Sequence, residues 1–144
     1  MRNKRPETKR VIFIYGVSGA GKTHMHPVLK LKYPKAEIYD FDDFGVPEKA
    51  GKEWRIRTCK KWLEKFAQSN AAAFVLTGSI VPGEILEISP SIESDYSCRF
   101  EFDFQLLSAE EGTIRERLKA RGWSEDLIQD NINWQRELKS MSHG

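Results

Sequence analysis

At 144 residues and 40% hydrophobic composition, the chain is long enough for one compact domain with its own core and too short for two. Its 23 Lys and Arg against 21 Asp and Glu leave a formal charge of +2, which gives no electrostatic drive toward nucleic acid or an anionic membrane surface. No apolar run approaches the roughly eighteen residues a membrane span requires, and the apolar run behind the basic opening MRNKRPETKR is too short for a signal peptide core. The expectation is a cytoplasmic protein with a single domain over 1–144, residues 1–9 forming a flexible basic leader.

Short apolar runs alternate with longer amphipathic stretches, the pattern of strands feeding helices around a parallel sheet. RVIFIY (Arg10 to Tyr15) reads as the first strand, and Gly21 to Lys32 as the helix after it, stopped at YPK by proline. AEIYD (Ala36 to Asp40) reads as the second strand. Glu48 to Ser69 carries Trp54, Cys59, Trp62, Leu63 and Phe66 at largely helical intervals, which predicts one long helix or two broken ones. AAAFVLT (Ala71 to Thr77) lacks polar alternation and predicts a third strand buried on both faces. VPGEILEI predicts a turn and a short helix, and the alternating CRFEFDFQLL (Cys98 to Leu107) a fourth strand nearer the sheet edge. SAEE (Ser108 to Glu111) has the spacing of a capping box for a helix ending near Gly122. Ser124, with Glu125 and Asp126 behind it, opens the last helix, to about Lys139.

Between the first strand and its helix stands GVSGAGKT: Gly16, Val17, Ser18, Gly19, Ala20, Gly21, Lys22 and Thr23. It fits G-x-x-x-x-G-K-[ST] at every fixed position, in the strand-to-helix context that the motif requires. Glycines let successive N–H groups turn inward as an anion nest, and a helix beginning near Gly21 adds its positive end. A nucleoside triphosphate is the natural guest, with Lys22 reaching the β and γ phosphates and the Thr23 hydroxyl on Mg²⁺. Next comes YDFDDFG (Tyr39 to Gly45), at the carboxyl end of the second strand and so on the rim of the phosphate loop. Asp40, Asp42 and Asp43 repel one another unless a cation or a substrate proton offsets their charge, and phosphoryl transfer supplies both. The plainer alternative is an acidic turn in which Asp42 or Asp43 caps a helix.

This arrangement resembles the small P-loop kinases of the shikimate, gluconate and adenylate kinase group. The resemblance implies a three-layer α/β/α P-loop NTPase fold with a short parallel sheet of about four strands. It implies ATP- and Mg²⁺-dependent phosphoryl transfer to a hydroxyl of a small polar metabolite. Asp40-Phe41-Asp42 is similar to the D-x-D of shikimate kinases, where Asp40 would serve the magnesium and Asp42 the acceptor hydroxyl. EWR, ending at Arg55, is similar to the F-R element that grips the acceptor, with Arg57 pointing elsewhere. LTGS places Gly78 and Ser79 at the family's substrate-facing turn, though its single glycine argues against shikimate itself. RERLKARG is similar to the lid, with Arg117 and Arg121 closing over the nucleotide and Arg117 also neutralising the transferring phosphate. A solvated charged helix is the plainer reading of that run. The family closes with a fifth strand, for which no apolar run remains after NINWQRELKSM, so the base is expected to stack near Arg117. A nucleotide-binding regulatory or interaction module is the alternative that this departure favours. The expected partner is a small-molecule phosphate acceptor, with no nucleic acid and no membrane, in a monomer or weak homodimer.

The remaining residues read plainly. Cys59 and Cys98 stand apart, without CxxC spacing, as buried reduced thiols. His24 and His26 have the spacing of neither a metal pair nor a triad and read as surface or capping residues. Trp54, Trp62, Trp123 and Trp134 read as packing residues, Trp54 being best placed to line an acceptor pocket.

Overall fold

The computed structural model describes residues 7–22, 25–48 and 51–142. Strand β1 (Glu7–Tyr15) is central in a parallel sheet of order β2-β3-β1-β4, made with β2 (Glu37–Asp40), β3 (Ala73–Gly78) and β4 (Cys98–Leu106). The order accounts for the sequence pattern. Central β3 is buried on both faces, whereas edge strand β4 alternates, stacking Phe104 on Phe13 of β1 while Arg99 and Glu101 stay exposed.

Helix α1 (His26–Lys32) covers one face, burying Leu29 against Ile12, Ile14 and Val75. On the other face α2 (Lys52–Gln68) and α3 (Pro82–Tyr96) bury Trp62, Leu63, Phe66, Ile85 and Ile92 against Val11, Phe13, Phe74 and Leu76. Helices α4 (Glu111–Ala120) and α5 (Glu125–Ser142) extend that core through Ile114, Leu118, Ile128 and Ile132, which share it with Val17 and Ala20 of the loop after β1. Each large side chain so buried contributes about 1.5–3 kcal/mol, and here part of that energy anchors a glycine-rich loop.

Four expectations need correction. Strand β1 starts at Glu7, taking in the last three residues of the expected leader, because Lys9 is fully buried with its Nζ donating to Glu7 Oε1 and to the carbonyls of Ser69 and Ala71. Helix α1 starts at His26 rather than near Gly21, which keeps Pro27 in the first turn. Deeper in a helix, a proline lacks the N–H and strikes the preceding turn, at a cost of about 3 kcal/mol. Helix α3 runs fifteen residues, straight through Pro90, which lies on the exposed side where solvent can serve the carbonyl it leaves without a partner. Helix α4 takes Glu110 as its N-cap without a side-chain cap bond, so Ser108 does not form the expected capping box. Ser124 does cap α5, its Oγ accepting from Leu127 N–H at 3.3 Å. Among the described residues no fifth strand follows β4, and no helix is long and apolar enough to cross a membrane. Cys59 and Cys98 are buried free thiols, and burial pushes that of Cys59 up to about 12.

Candidate functional site

The sheet register brings the site together. Tyr15 pairs with both Gly78 and Leu106, and Asp40 with Thr77, so the strands end at one level. The chain leaves β1 toward α1 on one face and β3 toward α3 on the other, and the diverging loops open a crevice beyond the strand ends. A cavity of about 210 Å³ lies there. The loop after β1 lines it with Val17, Ser18, Gly19, Gly21 and Lys22. Asp40 and Asp42 face it from the end of β2, Gly78 and Ser79 from the end of β3, and Arg121 from the end of α4. Gly16, Ala20, Arg55 and Arg117 are not among its lining residues, and Thr23 and His24 lie outside the described residues.

The loop turns at Gly19 (φ +82°) and Gly21 (φ +102°), in the left-handed region that glycine enters without strain. Its carbonyls are engaged one after another. Lys22 Nζ donates to Gly16 O, Asn131 Nδ2 to Ser18 O at 2.9 Å, and Arg117 Nη1 to Gly19 O at 2.7 Å. Ala20 N–H donates to Val17 O at 3.2 Å, and Gly19, Gly21 and Lys22 line the cavity, where backbone N–H groups of such a loop can form an anion nest. Helix α1 begins at His26 and not at Gly21, so the expected helix start at Gly21 does not hold. Arg117 is thus tied to the loop backbone, and Arg121 is the arginine of this helix that lines the cavity. Asn131, 113 residues from Ser18, gave no signal in the sequence.

Charge in the cavity is arranged around Lys22. Burial lowers its pKa from 10.5 to about 8, opposed by Asp40 and Asp42 and assisted by Arg121. The Asp42 carboxyl is pushed above its ordinary range, first by partial burial and then by Asp40, with Lys22 pulling it back. Asp43 does not line the cavity. Its Oδ2 accepts from Asp40 N–H at 3.0 Å while Asp40 Oδ1 accepts from Asp42 N–H at 2.9 Å, a reciprocal cap on the 3₁₀ turn over Phe41–Phe44. The buried Trp62 holds this turn from below, its indole N–H donating to Phe41 O at 3.1 Å. Trp54 meets Phe41 edge-on at 5.5 Å.

Arg55 is elsewhere. Its guanidinium makes a bidentate pair with Glu84, at 2.7 and 2.6 Å, and lies over the Trp134 ring at 5.8 Å. A larger hollow of about 550 Å³ on α2, lined in part by Phe44, Lys61 and Lys65, is shallow, and Lys65 already lies over the Tyr39 and Trp62 rings at 4.4 and 5.4 Å.

Gly78 has a packing reason to be glycine. Its φ is +146°, and a β-carbon there would run into the Phe41 side chain, which stands between Asp40 and Asp42. Gly78→Ala is expected to cost about 2–4 kcal/mol in urea unfolding, combining overpacking with backbone strain. A loss below about 0.5 kcal/mol, the ordinary range for a surface change, would show that the contact is soft.

No family model matches the chain, and no curated protein matches its sequence. Similar solved structures exist. The shikimate kinase from Acinetobacter baumannii in complex with shikimate is 19% identical, with 92% of this chain and 75% of that chain covered at a TM-score of 0.50. A protein designated APE1195 is 17% identical, with 96% and 80% covered at 0.51. The Mycobacterium tuberculosis APS kinase in complex with AMPPNP and APS is 20% identical, with 69% and 62% covered at 0.49, so this chain spans less than two thirds of that kinase. The fold is that of a small P-loop kinase-like α/β protein, with a four-stranded parallel sheet.

Proposed function

We propose that the chain transfers the γ-phosphoryl group of ATP, with Mg²⁺, to a hydroxyl of a small polar metabolite. The observation that carries this reading is the convergence of a glycine loop, a half-buried lysine and two carboxylates on one 210 Å³ cavity. In the reaction the acceptor oxygen bonds the γ-phosphorus, the bond from phosphorus to the β,γ-bridging oxygen breaks, and ADP leaves. The hydroxyl proton passes to the Asp42 carboxylate, whose raised pKa suits it as a base. Lys22 and the N–H groups of Gly19 and Gly21 hold the β and γ phosphates, and Arg121 adds charge from the α4 end. Arg117 and Asn131 keep the loop in shape. Gly78 and Ser79 border the acceptor side, and Arg55, held by Glu84, is left out of acceptor binding.

Magnesium fits these residues in one way. Asp40 and Asp42 are hard oxygen donors that repel each other, yet among the described residues no cluster of three or more His, Cys, Asp or Glu could hold a metal. Two carboxylates suffice for magnesium only when substrate phosphates complete its shell. Asp40, with Thr23 as the second expected ligand, would hold it, and the ion would neutralise charge on the phosphates.

The test is a panel of sugars, polyols, hydroxy acids and nucleosides assayed for ADP release from Mg·ATP. At least one is expected to raise release well above the acceptor-free rate. Nucleotide binding with no stimulation from any class would leave a nucleotide-binding module instead.

A further inference from the structure

His26 is neither a surface residue nor a cap. It is half-buried, and its Nε2 lies 2.8 Å from Thr77 Oγ1. That hydroxyl, fully buried at the end of β3, lies 3.4 Å from Asp40 Oδ2 on the neighbouring strand, where the register pairs the two residues. Three elements thus place a ring, a hydroxyl and a carboxylate in line, ending at the cavity.

Chemistry sets the direction of the protons. The threonine hydroxyl has one proton, and an ionised carboxylate only accepts, so the Thr77 proton serves Asp40 while His26 donates from Nε2. The step of 3.4 Å is long for a hydroxyl bond, so its strength depends on where that proton points. His26 decides this, because a donor on one side of Oγ1 turns the hydroxyl proton to the other. Asp40 Oδ1 is already held by Asp42 N–H, and the relay holds the second oxygen.

We infer that His26 is a positioning residue that, through Thr77, orients the Asp40 carboxylate toward a magnesium-bound triphosphate. The inference rests on the phosphate-transfer reading above. Partners one step behind a metal ligand commonly tune affinity by about ten- to a hundredfold.

The experiment measures ATP affinity by calorimetry with EDTA and with excess Mg²⁺, taking the ratio as the magnesium enhancement. For His26→Ala and for Thr77→Val the enhancement is expected to fall by about tenfold, with affinity in EDTA unchanged. His26→Gln, which keeps a donor at similar reach, restores it. The double variant His26→Ala/Thr77→Val falls no further than Thr77→Val alone, since the two act in series. Full enhancement in His26→Ala overturns the relay alone. Equal losses with and without Mg²⁺, unrescued by glutamine, overturn it in favour of local damage to α1. A wild type that binds no Mg·ATP overturns the phosphate-transfer reading itself and the relay with it.

Discussion

Lys22→Met is expected to weaken Mg·ATP binding and, at the same time, to make the folded chain more stable. The ammonium is buried enough to bring its pKa down from 10.5 to about 8, which means that the folded state disfavours the charge it carries at neutral pH. The sign follows from proton counts. Between about pH 8 and 10.5 the unfolded chain binds this proton and the folded chain releases it, so stability rises with pH across that window and the penalty is full below it. Methionine removes the penalty but also the bond to Gly16 O, leaving a net gain of about 1–2 kcal/mol at pH 7 in urea unfolding. The same change removes a charged donor to phosphate, weakening nucleotide binding by about tenfold to a hundredfold. Wild-type binding should itself weaken as pH rises through about 8, where Lys22 loses its charge. A variant that binds ATP as the wild type does would remove Lys22 from the site.

Asp42→Asn is expected to lower kcat by about 10²–10⁴-fold while changing ATP affinity by no more than about threefold, because a general base acts on the acceptor proton and not on the nucleotide. Assays would use the acceptor that the panel identifies. Burial and Asp40 raise the Asp42 pKa, so the wild-type rate should fall, as pH drops, at a value above the ordinary carboxylate range. The variant should lose that acid limb. Unchanged kcat in Asp42→Asn would return Asp42 to the role of an acidic turn residue.

The strands, the glycine-rich loop after β1 and the acidic turn were legible because each depends on residues close in the chain. VIFIY and AFVL have no polar alternation, and three glycines, Gly16, Gly19 and Gly21, fall within six residues of the loop. What was not legible depends on distant partners. Lys9 reads as solvated until Ser69 and Ala71 supply carbonyls to it, 60 and 62 residues on. Arg55 reads as a free cation for an acceptor until Glu84, 29 residues away, pairs with its Nε and Nη2. Arg117 reads as a lid arginine until Gly19, 98 residues away, accepts from its guanidinium. The late start of α1 was a local feature open to sequence reasoning. Pro27 already stood there to mark it.

The claim on which the rest depends is that backbone N–H groups of the loop after β1 wrap the phosphates. Amide NMR of the ¹⁵N-labelled chain titrated with Mg²⁺ and a non-hydrolysable ATP analogue tests it most directly. The largest shifts are expected at Gly19, Gly21 and Lys22, accompanied by smaller ones at Asp40 and Asp42. Saturating nucleotide that leaves these amides unmoved, or that moves only those of α3 and α5, would contradict the account.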